Sequence, residues 1–132
     1  MKLKLAIIGL LALGGCQSAL GPKPPTTPIA LNDTQVQIVK DGLKKALKDP
    51  DSAVFGSMKA SQSDKKGIMN VCGTVNAKNS FGGFSGQSPY VGVLASLEMD
   101  GKTIGSFTLT QLGHTKRDAD SVMTMCRHFG VL

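Results

Sequence analysis

The chain predicts an α+β fold: an N-terminal helix, an antiparallel sheet of about four strands and a C-terminal helix. Three observations carry this. Val36, Val39, Leu43 and Leu47 recur at helical spacing. In Tyr90 to Met99, Val91, Val93, Ala95, Leu97 and Met99 alternate with smaller or polar residues, the two-residue period of a strand. Val122, Met125, Cys126 and Phe129 again share one helical face. The sequence shows no internal repeat, and 132 residues suit one domain.

Taken in order, Asn32 or Asp33 can cap the first helix, because either side chain accepts from the free N–H groups of a first turn. Asp49-Pro50 is expected to end it, since the residue before proline is pushed out of the α region. Lys40, Lys44 and Lys48 form a stripe beside the apolar face, read first as a solvated face and second as a contact for anionic head groups. Ala53 to Gln62 is weakly strand-like, and Asp64-Lys65-Lys66-Gly67 supplies turn residues. Ile68 to Ala77 reads as a strand with Met69, Val71, Val75 and Ala77 on one face and Cys72 on the other. Lys78 to Pro89 is a glycine-rich loop. Asp100-Gly101 signals a hairpin, because both residues tolerate positive φ. Thr103 to Leu112 returns as its partner strand, with Phe107 and Leu109 on one face. Thr115 to Asp118 is similar to a capping box, and Gly130 suits the position after a helix end.

The chain opens MKLKLAIIGLLALGGC. Two lysines, a short apolar run and small residues before Cys16 describe a secretory signal peptide, too short to span a bilayer. Leu13-Gly14-Gly15-Cys16 resembles the lipobox of bacterial lipoproteins. That resemblance implies cleavage before Cys16, a diacylglycerol on its thiol and acylation of the new amine. Residues 1–15 are then a signal peptide, 16–31 a lipidated cysteine with a proline-rich tether, and 32–132 the folded domain. Pro22, Pro24, Pro25 and Pro28 favour an extended, semi-rigid tether. Gln17 after the acylated cysteine is similar to the pattern of cargo sent to the outer membrane in enteric-type bacteria. The expected location is the cell envelope, facing the periplasm.

With the signal removed the formal charge falls from +6 to +4, because Lys2 and Lys4 leave. Mild basicity suits anionic lipid or peptidoglycan; an exported chain without a clustered basic stripe is no nucleic-acid binder. With Cys16 lipidated, Cys72 and Cys126 remain in an oxidising compartment, and a Cys72–Cys126 disulfide joining the last helix to the sheet is the default. Two buried thiols or a metal pair are the alternative. If the disulfide forms, the last helix must cover the Cys72 face. The Met69/Val71/Val75 face then needs other cover, from the first helix or from another chain.

The most distinctive internal stretch is Val71 to Gly86, VCGTVNAKNSFGGFSG, preceded by Asp49-Pro50-Asp51-Ser52. It resembles a pattern in small exported bacterial proteins, many of them uncharacterised, with a CGxVNxKNxxGG[FY]xG run. The resemblance covers about half of the mature chain and carries no activity to transfer. Physically, Asn76, Lys78 and Asn79 offer hydrogen-bonding groups, and Phe81, Phe84 and Tyr90 place three of six aromatics in or beside one loop. One reading is a recognition surface of aromatic anchors and adaptable polar neighbours. The other is an Ω-type loop folded on itself, with Phe81 and Phe84 plugging a sheet edge and the asparagines satisfying its backbone. A small domain's need for large apolar groups favours the second.

Catalysis finds little support. His114 and His128 are the two histidines, Glu98 is the lone glutamate, and no nucleophile elbow, P-loop or dinucleotide fingerprint is present. The histidines have no metal-ligand spacing to Cys72. No catalytic, metal or cofactor residue is assigned. The expectation is a lipid-anchored, non-enzymatic binding or structural module whose partner is an envelope protein, anionic lipid or peptidoglycan. An envelope-protective inhibitor of lysozyme or phage entry is the alternative, disfavoured because a basic domain repels basic lysozymes. An envelope hydrolase is the third class.

Overall fold

A computed structural model of the protein describes residues 27–132. The expected signal peptide, Cys16 and most of the expected tether lie outside the described residues. Seven elements follow in order: α1 (Asp33–Lys44), a 3-10 turn (Pro50–Ser52), β1 (Val54–Gln62), β2 (Ile68–Asn76), β3 (Ser88–Met99), β4 (Lys102–Leu112) and α2 (Lys116–His128). The strands form one antiparallel meander, β1-β2-β3-β4, with a helix against each face.

Asn32 is the α1 cap. Its Oδ1 accepts from the Gln35 N–H at 2.8 Å while Gln35 Oε1 accepts from the Asn32 N–H at 3.0 Å. This reciprocal box satisfies two N–H groups that a helix start leaves open. Asp33 sits in the first turn, where the helix dipole favours a carboxylate. The helix stops at Lys44, earlier than Asp49-Pro50. Its end tightens into i→i+3 bonds, Ala46 N–H to Leu43 C=O at 2.9 Å and Leu47 N–H to Lys44 C=O at 3.2 Å. The tightening brings Leu47 against the core, and Pro50 then opens the 3-10 turn.

The two faces of the sheet answer the question the sequence leaves open. Val39 and Leu43 of α1 bury Met69, Val71, Val75, Tyr90, Leu94, Phe107 and Leu112. On the other face Val122 and Cys126 of α2, with Val131, bury Cys72 and Val91. The first helix is therefore the cover of the Met69/Val71/Val75 face. Tyr90 and Phe107 meet edge to face, ring centroids 6.2 Å apart. Two glycines make room for these rings: a side chain on Gly73 would strike the Tyr90 hydroxyl, and one on Gly92 would strike the Phe107 ring.

Cys72 and Cys126 are bonded, with Cα atoms 6.1 Å apart. The end of α2 reinforces the crosslink. Gly130 adopts φ 67°, the Gly130 N–H reaches Arg127 C=O at 3.0 Å, and the Val131 N–H reaches Cys126 C=O at 3.0 Å. This is a Schellman closure, and it folds Val131 back onto the disulfide. Buried Ser61 on β1 donates to Phe129 C=O at 2.7 Å, which satisfies another carbonyl at the helix end. At the start of α2, Thr115 Oγ1 accepts from the Asp118 N–H at 3.2 Å. Aspartate is a methylene shorter than the preferred glutamate, and its carboxylate accepts the Thr115 hydroxyl proton at 2.7 Å.

The ends of the sheet differ from the sequence reading in two places. Ile29, assigned to the tether, pairs with Ala60 in an antiparallel bridge, so the fold begins before residue 32. The stripe Val91, Val93, Ala95, Leu97, Met99 is fully buried at Val91 alone. β2 begins opposite Ala95, so the β3–β4 hairpin runs on beyond it, turning at Asp100 (φ 50°) and Gly101 (φ 73°). Leu97, Met99 and Ile104 stand half exposed on that extension.

Candidate functional site

The glycine-rich loop leaves β2 at Asn76 and enters β3 at Ser88. It is held by its own asparagines. Asn79 Oδ1 accepts from the N–H groups of Phe81 at 2.9 Å and Gly83 at 3.3 Å. Asn76 Oδ1 accepts from the Gly86 N–H at 3.0 Å. Backbone bonds close the tip, Asn79 N–H to Gly83 C=O at 2.8 Å and Gly82 N–H to Asn79 C=O at 3.1 Å. Gly82 (φ 80°) and Gly86 (φ 88°) supply left-handed turns that a side chain would strain. The Lys78 N–H donates to Ser52 Oγ at 2.8 Å, and Ser52 Oγ donates to Asp49 C=O at 2.8 Å. That relay ties the two stretches of the sequence pattern, Asp49 to Ser52 and the glycine-rich run, into one unit.

The asparagines thus satisfy the loop backbone, as the packed-loop reading expects. The phenylalanines do not pack as it expects. Phe81 sits at the tip with 97% of its surface exposed, and Phe84 is 53% exposed, with Lys78 Nζ 5.7 Å from its ring centroid. Neither plugs a sheet edge. Tyr90 is also corrected: it lies on β3, fully buried under α1, and belongs to no binding loop. Its position two residues into the strand turns it to the Leu94 face rather than toward the loop.

At the loop base lies a cleft of about 230 Å³. Leu47, Val75, Ala77 and Leu112 supply apolar surface; Lys48, Lys78 and His114 supply basic groups, and no carboxylate lines it. Three elements meet there: the tightened end of α1, the loop base and the β4–α2 junction. The sequence reading placed Lys48 in the α1 stripe and gave His114 no catalytic or metal assignment. Lys48 reaches the cleft because the chain turns after Lys44, an event no periodicity announces. The other stripe lysines are half-buried, with Lys40 Nζ 5.6 Å from the Phe55 ring centroid.

His128 lies in the last turn of α2, its ring against Phe129 at 5.6 Å. Among the described residues no three His, Cys, Asp or Glu side chains converge to hold a metal ion. No described helix is long and apolar enough to cross a membrane. Comparison with family models, curated proteins and solved structures found no match.

Proposed function

We propose that this chain is a lipid-anchored, non-enzymatic recognition module of the bacterial cell envelope, facing the periplasm and engaging an envelope protein with its glycine-rich loop. The observation that carries the reading is Phe81. A phenylalanine almost wholly in water, on a loop whose backbone is already satisfied by Asn76 and Asn79, contributes nothing to folding. Aromatic anchors with polar neighbours are what protein interfaces use. The cleft beneath is smaller than the roughly 300–1,000 Å³ of ordinary small-molecule sites. It suits one apolar side chain of a partner, and its basic rim of Lys48, Lys78 and His114 suits a neighbouring carboxylate. The lipobox-like Leu13 to Cys16 supports the anchor.

The test is affinity capture from solubilised envelopes with the native chain and with a Phe81→Ala/Phe84→Ala variant. The native chain should retain a discrete protein that the equally folded variant loses. Identical captured sets would contradict the reading. A mass of the mature N-terminal peptide checks the anchor, which predicts diacylglycerol on Cys16.

A further inference from the structure

The loop with Phe81 follows the end of β2, and the β3–β4 hairpin projects past its beginning, so the two lie at opposite ends of the sheet. The hairpin end carries a second exposed apolar group. Leu97 and Ile104 are cross-strand partners, Met99 stands two residues further along the same face, and all three are half exposed. α2 covers this face of the sheet at Cys72 and Val91 and leaves the extension bare. Side chains of this size gathered in water mark a contact surface.

The direction of the chain identifies the contact. Ile29 pairs antiparallel with Ala60, and β1 runs from Val54 toward Gln62 and the turn into β2. Thr27 and Pro28, which precede Ile29, therefore lie toward that turn, which is the hairpin end. Twelve residues of sequence separate Cys16 from Ile29, so the anchor joins the fold through Thr27 and Pro28 on that side.

We infer that the β3–β4 hairpin tip rests in the membrane to which Cys16 is anchored, with Leu97, Met99 and Ile104 entering the boundary between head groups and acyl chains. This rests on the anchor reading above. The domain then stands on its hairpin and presents Phe81 away from the bilayer. The titratable groups around the tip balance: Lys65, Lys66 and Lys102 against Asp64, Glu98 and Asp100. Contact is therefore made by apolar side chains and needs no anionic lipid.

The chain contains no tryptophan, so an introduced one reports alone. The full acylated chain carrying Met99→Trp, extracted from membranes, is reconstituted in phosphatidylcholine vesicles with and without brominated acyl chains. Burial of about 5–10 Å at the head-group boundary predicts a blue shift and a roughly twofold loss of emission to the bromines. Ile104→Trp should behave alike, which guards against a single misfolded variant. Phe81→Trp, at the far end, should be unquenched, and adding anionic lipid should leave all three unchanged. Unquenched emission from both the Met99→Trp and the Ile104→Trp variants, in chains whose mass shows lipid on Cys16, would overturn the inference and leave the anchor standing. A chain without lipid on Cys16 would remove the anchor and the inference with it. A blue shift already present without vesicles, in a chain of dimeric mass, would assign the patch to a second copy and also overturn it.

Discussion

Tyr90 carries a hydroxyl that is buried and finds no hydrogen-bond partner among the described residues. An unpaired buried hydroxyl costs stability, so Tyr90→Phe should be neutral or stabilising by up to about 1 kcal/mol at neutral pH. Burial also pushes its pKa well above the ordinary 10.0. Above that pH the unfolded chain releases a proton that the folded chain keeps. Stability should then fall by up to about 1.4 kcal/mol per pH unit, and Tyr90→Phe should remove that slope. Urea titrations at rising alkaline pH measure both. Because Tyr90 is the one tyrosine, phenolate absorbance follows it directly. Ser61 is the opposite case: its hydroxyl is used, and Ser61→Ala removes the buried hydrogen bond to the Phe129 carbonyl, with an expected loss of about 0.5–1.5 kcal/mol. At Phe81 the same chemical unfolding should show Phe81→Ala within about 0.5 kcal/mol of the native chain, since the ring touches almost nothing. A larger loss would make Phe81 structural after all.

Among the elements, α2 depends most on its crosslink. The Cys72–Cys126 bond spans 54 residues of chain, so replacing both cysteines by alanine should cost about 3–4 kcal/mol, read as a shift in denaturation midpoint. An unchanged midpoint would mean that Val122, Val131 and the Schellman closure hold the helix unaided. Most of this element was legible in the sequence, because each signal is local. Thr115 and Gly130 mark the helix ends, and Val122, Met125, Cys126 and Phe129 mark its inner face. The strands were legible for the same reason, and Asp100-Gly101 does turn with positive φ. The end of α1 was not, because Pro50 forbids helix but does not say how much earlier the helix stops. Lys44 ends it through a tightened turn that is favoured by Leu47 reaching the core. Tyr90 was misplaced for a related reason. A strand of alternating residues with Gly92 on one face reads as apolar on the other, whereas the rings of Phe107 and Tyr90 fill the glycine positions from across the sheet.

At the scale of the whole molecule, the sheet has a helix on each face and an exposed apolar group at each end. Neither arrangement follows from periodicity. Which helix covers which face is set by the disulfide and by the chain crossing from α1 into β1. The exposure of Leu97, Met99 and Ile104 depends on how far the hairpin outruns β2. The loop was legible as a unit, since its glycines and asparagines form the turns and hydrogen bonds their types permit. That Phe81 points into water was not, because the core filled itself with Tyr90, Phe107 and aliphatic side chains instead. The proposed polarity, a membrane-anchored end and a recognition loop at the other, is the central claim. Its most direct test is photocrosslinking in intact cells with a photoreactive phenylalanine analogue at position 81. A discrete protein adduct from position 81, absent when the same analogue replaces Phe107 in the core, is the predicted result. A folded, envelope-located chain that gives no adduct from position 81 would contradict it.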